Sequence, residues 1–322
     1  MKSLVITKYG SPDFIELKDI PKPTPKENEV LVRVHATTVN DYDWSLMRGQ
    51  PFIYRLMFGF QKPRVRPGME LSGTVEAVGD NVSTLKVGDA VYGDTSNHGF
   101  GTFAEYMSVN EKALLRKPEN MSFEEAAAIP HAAMLAYQGL VKLGEIQNGQ
   151  KILINGAGGG VGTFALQLAQ LYDAEVTGVD TGPKLEMMKA LGFDHLIDYK
   201  KQDFTRNGER YDLVLDAKTN RSTFAYLRSL KPHGKYVTVG GHLGRLLQLV
   251  LLKPIISALG NKSVFLLGLR ANKDLAYIKE LFEAGKIKPV IDGPYPLEKT
   301  PELIQYFGEG KHAGKVVITV SD

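Results

Sequence analysis

With 322 residues, 43% of them hydrophobic and 23% charged, the chain has the make-up of an ordinary globular protein and is long enough for two cores. Its formal net charge of +3, with the basic residues scattered, gives no nucleic-acid footprint. The lack of cysteine excludes disulfides and any thiolate-based metal site or nucleophile.

The apolar run near the N-terminus is far shorter than a signal-peptide h-region, so a cytoplasmic location is the expectation. Residues 1 to about 118 are short alternating or apolar runs cut by glycine, proline and Asp/Asn turns. This pattern predicts a mostly β domain with strands at 3–7, 14–20, 30–37, 71–78, 90–93 and 104–109. The Val-Gly-Asp runs at 78–80 and 87–89 mark reversals, and the prolines at 21, 23 and 25 an extended connector. From Met121 helix and strand alternate, the rhythm of a parallel sheet. Residues 123–143 read as helix apart from Pro130. The strands that follow are expected at 151–155, 175–180, 195–199, 211–216, 235–240 and 263–268, and the helices at 160–172, 184–191, 222–230 and 273–284. Six parallel strands complete a doubly wound α/β domain. The tail from Lys286 returns to β pattern and ends in Gly-Lys-Val-Val-Ile-Thr-Val at 314–320, which is expected to rejoin the first domain. The division is therefore 1–118 with 288–322, and 119–287. The most apolar segment, 246–259, is broken by Lys253 and Pro254 and is too short to span a bilayer.

The chemistry centres on residues 151–163, Lys-Ile-Leu-Ile-Asn-Gly-Ala-Gly-Gly-Gly-Val-Gly-Thr, an apolar strand joined to a helix through five glycines. Glycines there let backbone N–H groups approach a pyrophosphate at the partly positive helix N-terminus. The dinucleotide fingerprint falls on Ala157, Gly159 and Gly162, with alanine at the first glycine position. Gly156, Gly160 and Val161 complete the candidate cradle. A glycine-rich turn on a doubly wound domain can also bind another ligand or none.

Taken together, several runs resemble the medium-chain dehydrogenase/reductase superfamily, in its zinc-free quinone oxidoreductase and enoyl (alkenal) reductase branch. They are residues 36–40 (Ala-Thr-Thr-Val-Asn), 67–73 (Pro-Gly-Met-Glu-Leu-Ser-Gly), 87–91, 101–109, 127–139, the glycine loop and 314–320, and they span nearly the whole chain. The resemblance implies a GroES-like β catalytic domain, a Rossmann domain inserted near its C-terminal end and a cleft between them. Where zinc-dependent relatives carry Cys, His-Glu and Cys, this sequence has Asn40, Met69-Glu70 and His131. No matched set of three zinc ligands remains, so no metal is expected. A set drawn from Asp43, Glu70 and His131 is the weaker alternative to a hydrogen-bonded polar cluster.

The resemblance also implies how the nucleotide is held. Asp180, eighteen residues after Gly162, stands where a carboxylate accepts ribose hydroxyls and favours NAD(H), whereas Lys184 and Tyr199 match positions that serve the 2′-phosphate of NADP(H). Both nucleotides are therefore expected. Gly240, Gly241, Phe265 and Leu267 are placed at the nicotinamide end. Without a Lewis acid, the expected reaction is hydride transfer to a quinone or to the activated C=C bond of an α,β-unsaturated carbonyl. Tyr42, Asn40 and His131 are the candidate donors to the substrate oxygen. The alternatives are a zinc-independent alcohol or carbonyl dehydrogenase, or a nucleotide-binding protein with little turnover. The expected partner is a small apolar substrate, with a homodimer as the implied assembly. The apolar segments 51–60 and 243–259 read as a lid over that substrate, or else as a subunit interface or a membrane contact.

Overall fold

The computed structural model describes residues 1–258 and 260–320. Leu259, the last residue of the apolar segment 243–259, lies outside them. The chain forms two compact units: Met1–His131 with Ala271–Glu283 and Ile291–Asp322, and Ala132–Arg270 with Ala284–Val290. Residues 119–131 and 271–283 thus pack with the β unit rather than with the doubly wound one: the helix Phe123–Ala128 lies on the strand Glu29–Thr38 and its neighbours, and the Asn272 side chain bonds the backbone of Asp94 and Ala113.

The first unit is built on the strand Glu29–Thr38. Its Val30, Val32 and Val34 are fully buried, each worth about 1.5–3 kcal/mol of apolar burial. It pairs antiparallel with Glu70–Val78, Tyr106–Asn110 and Lys315–Thr319, and the last of these carries Ile291–Pro296 alongside it in parallel. The sheet continues through Ala90–Asp94 to Leu115–Arg116. The tail therefore does rejoin this unit, but the helix Thr300–Gly308 interrupts the expected β pattern. Pairing of Glu70 with Asp94, Leu71 with Thr37 and Thr38 with Val317 brings four strand ends together at one end of the sheet. Two helices that the alternating pattern concealed leave this end. Asp41–Arg48 starts with a capping box between Asn40 and Asp43 and stops at Gly49, whose φ is 60°. Ile53–Phe58 is a short turn with no buried residue.

The second unit is a six-stranded parallel sheet whose strands, numbered within the sheet by sequence, lie in the order 3-2-1-4-5-6. Lys151–Asn155, Glu175–Asp180 and Tyr211–Asp216 fall where the apolar runs place them. Asn155 is in register with Val179 on one side and Asp216 on the other, and Asp216 with Thr238. The order reverses at Lys151–Asn155, so the glycine loop leaves the sheet at the switch point where such folds bind ligands. The segment 243–258 is a helix despite its internal Pro254. No described helix is long and apolar enough to cross a membrane.

Candidate functional site

In the first unit, the strand ends carry a cluster of buried charges. Glu70, fully buried, accepts at Oε2 from the Lys315 ammonium (2.6 Å), the Asn40 amide (2.8 Å) and the Thr38 hydroxyl (2.5 Å). Its Oε1 accepts from the backbone N–H of His131 at 2.6 Å. Lys315, 5% exposed at its side chain, also donates to Asn40 Oδ1 at 2.7 Å. Asn40, expected as a donor to substrate, thus spends both ends of its amide inside the cluster. Asp43 accepts from the backbone N–H groups of Asn40 (2.9 Å) and Gly68 (2.7 Å). Burial pushes its pKa up to about 7 against those two bonds and the Lys315 charge.

His131 Nδ1 lies 2.8 Å from the buried Asp94 carboxylate, and its side chain is 23% exposed. Among the described residues nothing bonds its Nε2. Burial opposes the imidazolium, but the hydrogen bond and charge of Asp94, joined by Glu70, outweigh it and raise the pKa. Asp94 is likewise penalised by burial and yet held below the usual carboxylate range by His131 and Ser96. Tyr42 stacks on Phe100 at 4.1 Å and meets Phe58 edge-on at 5.7 Å. Its hydroxyl is buried without a partner among the described residues. Burial, then the Asp43 charge, raises its pKa, so it remains an O–H donor.

Neither Asp94 nor Lys315 emerges from the sequence as a site residue. The only signal for Lys315 was a charge opening an otherwise apolar strand; for Asp94 it was an acid ending one. Lys315 also decides the metal question that the family raises. Its ammonium occupies Asn40 Oδ1 and Glu70 Oε2, the oxygens a cation would need, and no group of three or more His, Asp or Glu among the described residues is arranged to hold one. The donor set does not fit zinc.

In the second unit, the glycine loop fits a nucleotide. Gly156 has φ 87°, and a Cβ on Gly162 would lie 2.4 Å from Ala157 Cα and 2.5 Å from its carbonyl oxygen, so only glycine lets helix and loop meet. The N-cap of the helix Gly160–Gln170 is Gly159, with no side chain to cap it. The first amides, at Gly160, Val161 and Gly162, are left for a phosphate. Asp180 turns back to the loop, accepting at Oδ2 from Gly158 N–H (2.9 Å) and at Oδ1 from Thr181 N–H (2.8 Å), and Lys184 Nζ stands 3.4 Å from Oδ1, both side chains nearly buried. Tyr199 is tied to this corner through its N–H on the Asp180 carbonyl.

Further along the sheet, Gly240 and Gly241 have φ of 151° and 135°, and Gly240 accepts from the Thr219 hydroxyl. Leu267 donates its N–H to Thr238, and the Lys253 ammonium lies 5.8 Å from the centre of the Phe265 ring. A second acid hidden in an apolar run, Asp216, organises the switch point. It accepts from Asn155, from the N–H groups of Lys218 and Thr219, and from the Tyr236 hydroxyl, at 2.7–2.9 Å.

A family model for the alcohol dehydrogenase GroES-like domain matches residues 26–119, and one for zinc-binding dehydrogenases matches 191–318. The chain is 35% identical to a 2-methylene-furan-3-one reductase of Solanum lycopersicum, over 99% of this chain and 79% of that one. It is 33% identical, over the same shares, to an NADPH-dependent alkenal/one oxidoreductase of Arabidopsis thaliana. The solved quinone oxidoreductase of Coxiella burnetii superposes with a TM-score of 0.88 at 26% identity, covering 100% and 99% of the two chains. Fold and cradle define an oxidoreductase that uses a nicotinamide nucleotide, NAD(P)H. The chain belongs to the medium-chain dehydrogenase/reductase family, in its zinc-free quinone oxidoreductase and enoyl reductase branch.

Proposed function

We propose that the protein reduces a quinone, or the activated C=C bond of a small α,β-unsaturated carbonyl compound, at the expense of NAD(P)H and without a metal. The observation that carries this reading is the buried Asn40–Glu70–Lys315 cluster, which takes up the metal-ligand positions Asn40 and Glu70 in a chain whose second unit keeps an intact nucleotide cradle. The bound nucleotide supplies the hydride. Gly156, Ala157, Gly159, Gly160, Val161 and Gly162 hold its pyrophosphate, Asp180, Lys184 and Tyr199 its adenosine end, and Gly240, Gly241, Phe265 and Leu267 its nicotinamide end.

When the substrate receives hydride, negative charge collects on its carbonyl or quinone oxygen and must meet a donor in a water-poor site. His131, oriented through Nδ1 by Asp94, offers Nε2–H for that oxygen, and the unpartnered Tyr42 hydroxyl is a second donor. Asn40 then serves to hold Glu70 and Lys315 rather than to touch substrate. Such acceptors are electrophilic enough to need no Lewis acid, whereas a plain alcohol loses its best stabiliser of an alkoxide.

The test is absorbance at the reduced-nicotinamide band with a panel of quinones, 2-alkenals, enones and alcohols. Consumption of NADPH or NADH with the first three classes supports the reading. Nucleotide reduction by alcohols alone, or tight binding with no turnover across the panel, would overturn it.

A further inference from the structure

Ten of the sixteen exposed large apolar side chains among the described residues fall in two short segments. In the first, Phe52, Ile53, Leu56, Met57 and Phe60 are 46–66% exposed around the turn Ile53–Phe58. In the second, the helix Leu243–Ala258 buries Leu249 and Ile256 and leaves Leu247, Val250, Leu251 and Ile255 51–75% exposed on its other side, with Leu243 at 44%. The spacing 243, 247, 250/251, 255 is one continuous helical stripe. Apolar surface of this kind on an isolated chain marks a contact. The two segments lie in different units and are independent observations.

Charge says what the contact is. Residues 51–66 and 243–258 contain no Asp or Glu but six Lys and Arg, and the rest of the chain has 33 Lys and Arg against 36 Asp and Glu. The basic excess of the whole protein therefore comes from the two segments that expose apolar side chains. Arg55 and Arg66 turn inward, to the Gly49 carbonyl and to Ser3, while Lys62, Arg64, Arg245 and Lys253 are exposed. Exposed apolar side chains with two exposed cations and no acid in each segment match the acyl and headgroup layers of an anionic bilayer. A second copy of the same segment fits less well, because a two-fold contact would set like charges together with no carboxylate to answer them. A lid closed over substrate would cover these side chains.

We propose that the exposed faces of residues 52–60 and of the helix Leu243–Ala258 bind the surface of a membrane that contains anionic phospholipids. The contact is peripheral: apolar side chains enter the headgroup boundary and the cations stay among the phosphates. It would place the enzyme at the surface of the phase into which apolar quinones and enals partition.

The test is co-sedimentation of the full chain with vesicles of phosphatidylcholine alone and with about one-third phosphatidylserine, at low and at high salt. The proposal expects binding to the anionic vesicles at least about tenfold stronger than to neutral ones, weakening as salt screens the charges. Leu247→Glu/Leu251→Glu and Phe52→Glu/Phe60→Glu should each lower it at least about tenfold, while Val87→Glu, an exposed apolar control outside both segments, should not. Thermal melts identify any pair that fails to fold, and the other pair then decides. Binding that ignores lipid charge, or that survives both folded double variants, overturns the proposal. So does absence of vesicle binding together with a dimer that Leu247→Glu/Leu251→Glu converts to monomer, which would assign the stripe to a second copy.

Discussion

Replacing Lys315 by methionine tests whether an internal ammonium holds the cluster together. The fully buried Glu70 carboxylate would keep its Asn40, Thr38 and His131 donors but lose the Lys315 counter-charge, and Asn40 Oδ1 would lose that donor. Breaking a buried pair by removing one partner costs about 3–5 kcal/mol, because the other charge is left uncompensated. The carboxylate's remaining hydrogen bonds favour the lower end, about 3 kcal/mol. For a unit of this size, that lowers the melting temperature by about 6–12 °C, at about 2–4 °C per kcal/mol. The double variant Glu70→Gln/Lys315→Met removes both charges and keeps the amide bonds, so it should recover most of the loss. Chemical denaturation of wild type, both single variants and the double variant gives the coupling energy as a double-mutant cycle. A cost below about 1 kcal/mol for Lys315→Met, or a double variant no better than the singles, would refute the counter-charge role.

Three further predictions concern the nucleotide and the proton. Gly162→Ala places a Cβ against the backbone of Ala157, which cannot move aside as a side chain would, so NADPH and NADH affinity should both fall at least about tenfold by calorimetry; an alanine variant that binds normally contradicts the close approach. The wild-type efficiencies with NADPH and NADH should lie within about a hundredfold of each other, about 2.7 kcal/mol. Asp180→Ser, which releases Lys184 from its carboxylate, should move the ratio at least about tenfold toward NADPH, and Lys184→Ala should move it the other way; a ratio that neither variant moves removes the pair from specificity. His131 has a raised folded pKa, so its imidazolium is complete below the ordinary histidine pKa of about 6.5 and is lost only as pH rises through the higher folded value. The Asp94–His131 pair and the alkaline limb of turnover, where the rate falls as the imidazolium is lost, should share that window. Asp94→Asn should shift the limb to lower pH in the rate profile and in a titration of His131 by NMR, and an unmoved limb would dismiss the dyad.

Much of the fold was legible because burial wrote itself into the sequence period. Lys151–Asn155, Glu175–Asp180 and Tyr211–Asp216 are buried strands, and their apolar runs show it. What escaped had a different cause in each case. Asp41–Arg48 is held by its caps and by two buried apolar side chains, Leu46 and Met47, rather than by a long apolar stripe. The helix Leu243–Ala258 contains a proline and is apolar on both faces, so no period singled it out as helix. The glycine cradle could be read directly because its chemistry is local, a run of residues without Cβ atoms. The charge cluster could not, since Asn40, Glu70, Asp94, His131 and Lys315 come from five separate elements and meet only through strand register. The motif positions brought Asn40, Glu70 and His131 to notice, but the partners that fix their roles, Lys315 and Asp94, look unremarkable in their own strands.

The central claim is metal-free hydride transfer from the nucleotide to an activated acceptor. It is tested most directly by turnover of a 2-alkenal or enone with NADPH in which both C4 hydrogens are replaced by deuterium, using protein treated with a chelator. The account predicts deuterium at the β-carbon of the saturated product and a rate that neither chelation nor added zinc alters. Product without the label, or activity abolished by the chelator and restored by zinc, would contradict it.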